Sequence, residues 1–175
     1  MKTKKTQKMT VVKKSMKTVV KKVVKKAPKI TPKKEADKGE NARTEIVFIL
    51  DRSGSMSGRE QDVIGGFNRM IAEQQKKPGE CHVSTVLFNG NSKVLHNRVP
   101  ISSVRPLTED EYFVGGNTAY FDALGRGIQH HISVQRHLSE DKRAEKVLFV
   151  VMTDGEENSS REFDARNLKR LIEEE

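Results

Sequence analysis

From Thr44 onward the apolar residues of the chain fall into two kinds of pattern. Ile46-Val47-Phe48-Ile49-Leu50 and Val147-Leu148-Phe149-Val150-Val151-Met152 are unbroken runs, as a strand buried on both faces of a sheet requires. Val63, Ile64, Phe67, Met70 and Ile71 instead recur at helical spacing, and Pro78-Gly79 ends that pattern. Ser57 and Glu60, just before it, have the spacing of a helix capping box. His82 to Phe88 reads as a further strand. Asn89-Gly90 then turns the chain into Lys93-Val94-Leu95-His96, which predicts a hairpin with an antiparallel edge strand. Tyr120, Leu124, Ile128 and Ile132 lie four apart and line one face of a second helix. Ser159 and Glu162 predict another capping box, with Phe163, Leu168, Leu171 and Ile172 as the buried face of a last helix. The order β-α-β-β-α-β-α predicts an α/β fold, three-layered and doubly wound on a mainly parallel sheet with one antiparallel edge strand.

Before Thr44 the texture is different. A Val-Val-Lys-Lys theme returns at Val11, Val19 and Val23, and Ala27-Pro28 and Thr31-Pro32 interrupt any helix. A four-residue repeat winds around a helix of 3.6 residues per turn, so it builds no fixed apolar face. Residues 1–43 are therefore expected to be a disordered basic arm and linker, and residues 44–175 a single domain. Charge sharpens this division. The net charge is +9, yet residues 1–43 carry 16 Lys and Arg against 3 acids, while the rest of the chain carries 17 against 21. The basicity thus belongs to the arm, which can bind nucleic acid or another anionic surface without sequence preference, since it holds no aromatic residue to stack on bases.

Length and composition narrow the function classes. At 175 residues, with mean hydropathy −0.68, the chain has room for one ordinary domain plus a tail and has no stretch apolar enough to span a membrane. A single cysteine, Cys81, excludes an internal disulfide framework and a Cys-rich zinc site. No secretory signal pattern opens the sequence, and a cytoplasmic location is expected. Cys81 reads as a small buried residue and not as a nucleophile. His130 and His131 are adjacent on a helix and point apart, so they do not form a paired metal site.

In open α/β sheets ligands gather beyond the carboxyl ends of the strands. Asp51 follows the first apolar run and Asp154 the last. Asp51, Ser53 and Ser55 alternate, so an extended segment would turn all three oxygens to one side, and Gly115-Gly116-Asn117-Thr118 adds a second flexible loop with a hydroxyl. Two carboxylates and three hydroxyls form an oxygen-only site that suits a hard divalent ion such as Mg²⁺. Glu156 and Glu157 read as solvated acids beside it, and Arg52 as an exposed neighbour.

Asp51-x-Ser53-x-Ser55, Thr118 in its Gly-Gly-Asn-Thr loop and Asp154 in Thr153-Asp154-Gly155 resemble the von Willebrand factor type A (VWA) domain, in its intracellular, bacterial-type form, over residues 44–175. The resemblance implies a metal-ion-dependent adhesion site (MIDAS). Ser53, Ser55 and Thr118 would bind Mg²⁺ or Mn²⁺ through hydroxyls, Asp51 and Asp154 directly or through water, and an open position would take a carboxylate from a partner protein. It implies a non-enzymatic binding module. The family fold continues with two further strands, so the domain is expected to be incomplete at its C-terminus, leaving Val147 to Met152 as an apolar edge covered by missing chain or by a partner. Two rival readings remain: a Mg²⁺-dependent phosphatase or phosphotransferase with Asp51 as nucleophile, and a nucleic-acid-binding protein acting through the arm. Haloacid-dehalogenase-like phosphatases carry a second Asp two positions after the nucleophile, where this chain has Ser53.

Overall fold

The computed structural model describes residues 9–14 and 42–173. Within them run β1 (Met9–Lys14), β2 (Thr44–Asp51), α1 (Glu60–Gln75), β3 (Cys81–Phe88), β4 (Ser92–Pro100), α2 (Tyr120–His137), β5 (Lys146–Met152) and α3 (Ala165–Glu173). The strands form one sheet in the order β1-β5-β2-β3-β4. All neighbours are parallel except β3 and β4, the hairpin pair at one edge. The architecture is the α/β fold expected from the pattern.

The central place of β2 explains why its sequence is apolar at every position from Ile46 to Leu50. Side chains of a strand alternate between faces. Ile46, Phe48 and Leu50 enter the core shared with Val63, Ile64, Phe67 and Ile71 of α1. Val47 and Ile49 enter a second core with Ala123, Leu124, Ile128 and Ile132 of α2 and Leu168 of α3. The helices thus cover both faces, and the ring of Phe67 meets that of Phe48 edge-on at 4.7 Å, a favoured aromatic geometry. No helix among the described residues is long and apolar enough to cross a membrane.

A buried acid also lies inside this framework. Glu45 of β2 is 2% exposed; its carboxylate accepts from Arg98 Nε at 2.7 Å and from Gln135 Nε2, and His131 Nδ1 lies 3.2 Å away. Arg98 reaches it from an irregular stretch of β4, where the register with β3 shifts twice and Arg98 itself takes a left-handed φ of 49°. Burial raises the carboxyl pKa, but His131 and Arg98 together bring it below the ordinary value.

Several local expectations are corrected. Six residues of the segment expected to be an unstructured arm, Met9–Lys14, pair in parallel with β5 from Met9↔Val147 to Lys14↔Met152. The edge expected to be covered by missing chain or a partner is thereby closed from within the same chain, because a buried strand with an unpaired ladder accepts any β-compatible segment. The remainder of residues 1–43, and with it the polyanion-binding expectation, lies outside the described residues apart from Ala42 and Arg43. Neither capping box forms. Ser57 closes a short 3-10 turn at Gly54–Met56, and α1 starts one turn later with no side-chain cap. Asp164, not Ser159, caps α3, its Oδ1 accepting from the N–H groups of Arg166 and Asn167 at 2.9 and 2.8 Å. Phe163 therefore precedes the helix, and its ring lies against Gly125 of α2, where a Cβ would come within 2.4 Å of Cδ1.

Candidate metal centre

The parallel register of β2 and β5 ends at Leu50↔Met152, so the next residues, Asp51, the last of β2, and Thr153, lie side by side at the end of the sheet. Thr153 Oγ1 donates to Asp51 Oδ2 at 2.7 Å, and the Ser53 N–H donates to Oδ1 at 2.9 Å. Tyr112 donates its hydroxyl to the Asp51 carbonyl. Asp51 is fully buried and Ser53 with it, whereas Ser55 is exposed. The segment after Asp51 is a 3-10 turn over Gly54–Met56, not the extended stretch expected; the turn still brings the Ser53 and Ser55 hydroxyls to 3.2 Å of one another.

Three loops meet at this end of the sheet and are tied to each other. Gly54 N–H donates to the Gly116 carbonyl at 2.9 Å, and Gly115 N–H to the Arg52 carbonyl at 2.8 Å. Asn89 Nδ2 holds the Gly115 carbonyl at 2.8 Å. Thr118, buried at 1% exposure, is fixed to the third loop: its N–H donates to Asn158 Oδ1 at 2.9 Å, and its carbonyl accepts from Asn158 and Ser159 at 3.0 and 3.1 Å. The third loop bears Asp154, whose side chain is 11% exposed and faces Arg59 Nη1 at 3.5 Å. Asp122 orders the far end of the same loop by accepting from the N–H groups of Arg161, Glu162 and Phe163. These bonds outweigh the effect of its burial and leave its carboxyl pKa below the ordinary value. Glu157, expected to be a solvated acid, instead accepts from Phe121, Ser159 and Ser160 and belongs to this scaffold. Glu156 is exposed.

The electrostatics of the site fit a cation. Burial raises the Asp51 pKa, the charge of Asp154 raises it further, and the bonds from Ser53 and Thr153 offset this only in part. A carboxylate so placed is stabilised by any positive charge that reaches it. Among the described residues no group of three or more His, Cys, Asp or Glu side chains gathers to hold a metal. The donor set here is two carboxylates with hydroxyls, which fits a hard ion such as Mg²⁺ or Mn²⁺ and not a soft one.

Residues 45–174 match the von Willebrand factor type A domain as a family. The chain belongs to that family. Among solved structures, this VWA domain is similar to proximal thread matrix protein 1 from the mussel byssus in two crystal forms. The first is 17% identical with a TM-score of 0.47 over 77% of this chain, the second 15% identical with a TM-score of 0.46 over 76%. The VWA chain spans about a third of that protein's length, 34% and 33% in the two forms. No curated protein matches it.

Reading the sequence missed Thr153, Tyr112, Arg59 and Asn158. Thr153 was within reach, because pairing the two apolar runs in parallel sets it beside Asp51. The others depend on loop paths that no periodicity encodes. The histidines separate as their adjacency predicts: His131 is buried against Glu45, and His130 is exposed with its ring facing Asn97 Oδ1 at 3.0 Å. Cys81 is buried, and burial pushes its thiol pKa up to about 11, which removes its nucleophilicity. Arg52 is half-buried with its guanidinium over the Phe113 ring at 5.0 Å. A cleft of about 440 Å³ between α2 and the β3–β4 hairpin is bordered by Val86, Val94 and Val134. None of Asp51, Ser53, Ser55, Thr118 and Asp154 lines it.

Proposed function

We propose that this VWA domain is a divalent-metal-dependent protein-binding module. In this reading Asp51, Ser53, Ser55, Thr118 and Asp154 hold Mg²⁺ or Mn²⁺, and a partner protein engages the site through an acidic side chain. VWA domains commonly serve as protein-interaction modules, which supports the general class. The observation that carries the finer reading is Asp51: a fully buried carboxylate beside a second acid and two hydroxyls, at the carboxyl ends of adjacent parallel strands. When bound, the ion supplies a strong positive charge to which a carboxylate can be attached, since neutral hydroxyls leave most of that charge uncancelled.

The chain's own residues account for the rest. Thr153 and Ser53 N–H orient Asp51, and Tyr112 fixes the backbone that carries it. The loop-to-loop bonds at Gly54, Gly115 and Thr118 hold the hydroxyl-bearing segments in place before a ligand arrives, so little ordering entropy is lost on binding. The phosphotransfer reading draws no support from this arrangement. Both Asp51 oxygens already accept hydrogen bonds in a buried position, and the place of the general acid is taken by Ser53. We further propose a cytoplasmic location, in keeping with one buried thiol and no disulfide.

Thermal unfolding of the full chain in EDTA, Mg²⁺ and Mn²⁺ tests the reading, because a ligand of the native state raises stability by mass action. The midpoint is expected to rise with either ion in the wild type and to stay level in Asp154→Asn. A wild-type midpoint indifferent to both ions at millimolar concentration overturns the metal-dependent reading and leaves a VWA interaction module of another kind.

A further inference from the structure

Among the described residues, the positively charged group in ion-pair contact with an acid of the centre is Arg59, 3.5 Å from Asp154. We propose that Arg59 is the internal counter-cation of the metal site: its guanidinium and the divalent ion hold Asp154 by turns, so metal uptake releases Arg59 to the rim. The proposal rests on the metal-binding reading above.

Arg59 is built to move at its tip and not at its root. Its N–H donates to the Met56 carbonyl at 3.0 Å, and its own carbonyl accepts from Asp62 and Val63, each at 3.1 Å. The residue therefore sits fixed at the start of α1. Gly58 before it has a φ of +81° with nothing within 4 Å of where a Cβ would stand, a conformation that glycine adopts without strain. From this position the Arg59 guanidinium reaches Asp154. Beyond the backbone the side chain is loosely held. It is 38% exposed, and the Nη1 to Asp154 Oδ2 separation of 3.5 Å is an ion-pair contact longer than a well-formed charged hydrogen bond.

The partner side of the contact is as unequal. Asp154 Oδ1 is engaged by the Glu156 N–H at 3.2 Å, which leaves Oδ2 as the oxygen that Arg59 and a metal would share. A divalent ion on that oxygen repels a guanidinium at such a distance, and the long, half-exposed stem lets the guanidinium swing to water at small cost. Arg52 does not behave in this way, because its guanidinium lies on Phe113 and its Nε is buried. Metal-free, the centre is thus partly neutralised from within. Metal-loaded, it presents a freed guanidinium next to the ion, where a partner's acidic side chain arrives.

The test uses the full chain with Mn²⁺ as the probe, comparing wild type, Arg59→Ala, Arg59→Lys and Arg69→Ala, an exposed arginine on α1 that serves as a charge-matched control. Calorimetry gives the Mn²⁺ dissociation constant and thermal melts in EDTA give metal-free stability. Arg59→Ala is expected to bind Mn²⁺ about two- to fivefold more tightly, as removal of a half-exposed competing ion pair allows. Its EDTA midpoint should fall by about 1–3 °C, with Arg69→Ala unchanged in both and Arg59→Lys close to wild type. Equal or weaker binding by Arg59→Ala, or equal tightening by Arg69→Ala, overturns the proposal while the metal site stands. A wild type that takes up no Mn²⁺ overturns the metal reading and the proposal with it.

Discussion

Replacing Asp51 by Asn removes a buried charge while keeping the shape of the side chain. Asp51 is fully buried, and an ionised carboxylate in such a place carries an effective desolvation cost of several kcal/mol. Against this stand the bonds from Ser53 N–H and Thr153 Oγ1, each about 1 kcal/mol weaker when the acceptor is neutral. The asparagine can keep both contacts: its carbonyl oxygen faces Ser53, and its amide donates to the Thr153 hydroxyl, which has a second lone pair beside the one that takes the Gly155 N–H. The net gain is about 1–2 kcal/mol, or a rise of roughly 2–8 °C in the EDTA melting midpoint. The Mn²⁺-dependent rise should vanish in the same variant. The pH dependence has a definite sign. The folded-state pKa of Asp51 is raised, so its stabilising contribution is complete below the unfolded value and is lost as pH rises through the folded one. The advantage of Asn is therefore largest at neutral pH and shrinks as pH falls through the carboxylate range toward and below 3.8, the ordinary Asp value. Differential scanning fluorimetry of both proteins across that range checks it. A metal-free Asp51→Asn that melts lower than wild type at pH 7 refutes the reasoning.

Other expectations follow from single contacts. Glu45→Ala leaves Arg98 and His131 facing a vacated buried position and should cost about 3–5 kcal/mol in urea unfolding. Because the Glu45 pKa lies below the ordinary value of 4.5, its contribution is present above that pH and lost as pH falls through the folded value, which acid titration of wild type against Glu45→Gln will show. Gly125→Ala drives a methyl into the Phe163 ring and should cost about 1–3 kcal/mol; the double variant with Phe163→Ala should lose less than the sum of the single losses. Removal of residues 1–14 uncovers the β5 edge and should produce concentration-dependent association in light scattering, with the secondary structure by circular dichroism largely kept.

How far the sequence revealed all this depends on the kind of pattern involved. The two continuous apolar runs and the four-residue spacing of Tyr120, Leu124, Ile128 and Ile132 name their elements because strand and helix periods are local properties. Asp51 and Asp154 were legible for the same reason: each follows a run whose length fixes where the strand ends. The Ser57–Glu60 and Ser159–Glu162 pairs misled, since the spacing of a capping box says nothing about what else competes for those residues. Gly58 takes a left-handed turn that delays α1, and Ser160 and Ser159 are drawn to Glu157. The Glu45 network escaped notice because it joins β2, β4 and α2, three elements far apart in the chain. The strand at Met9–Lys14 escaped because its partner, the free edge of β5, exists only after the sheet has formed.

That last pairing has a kinetic consequence. Met9 and Val147 face one another across about 140 residues of sequence, a far longer closure than the hairpin of β3 and β4, and the entropy of such a closure must be met before any contact rewards it. The β1 ladder should therefore be a late step in folding and an early one in opening. Successive residues of β5 direct their amides alternately toward β2 and toward β1. In hydrogen-exchange experiments the amides facing β1 should exchange sooner than those facing β2, so that one strand reports two separate opening reactions from its two sides.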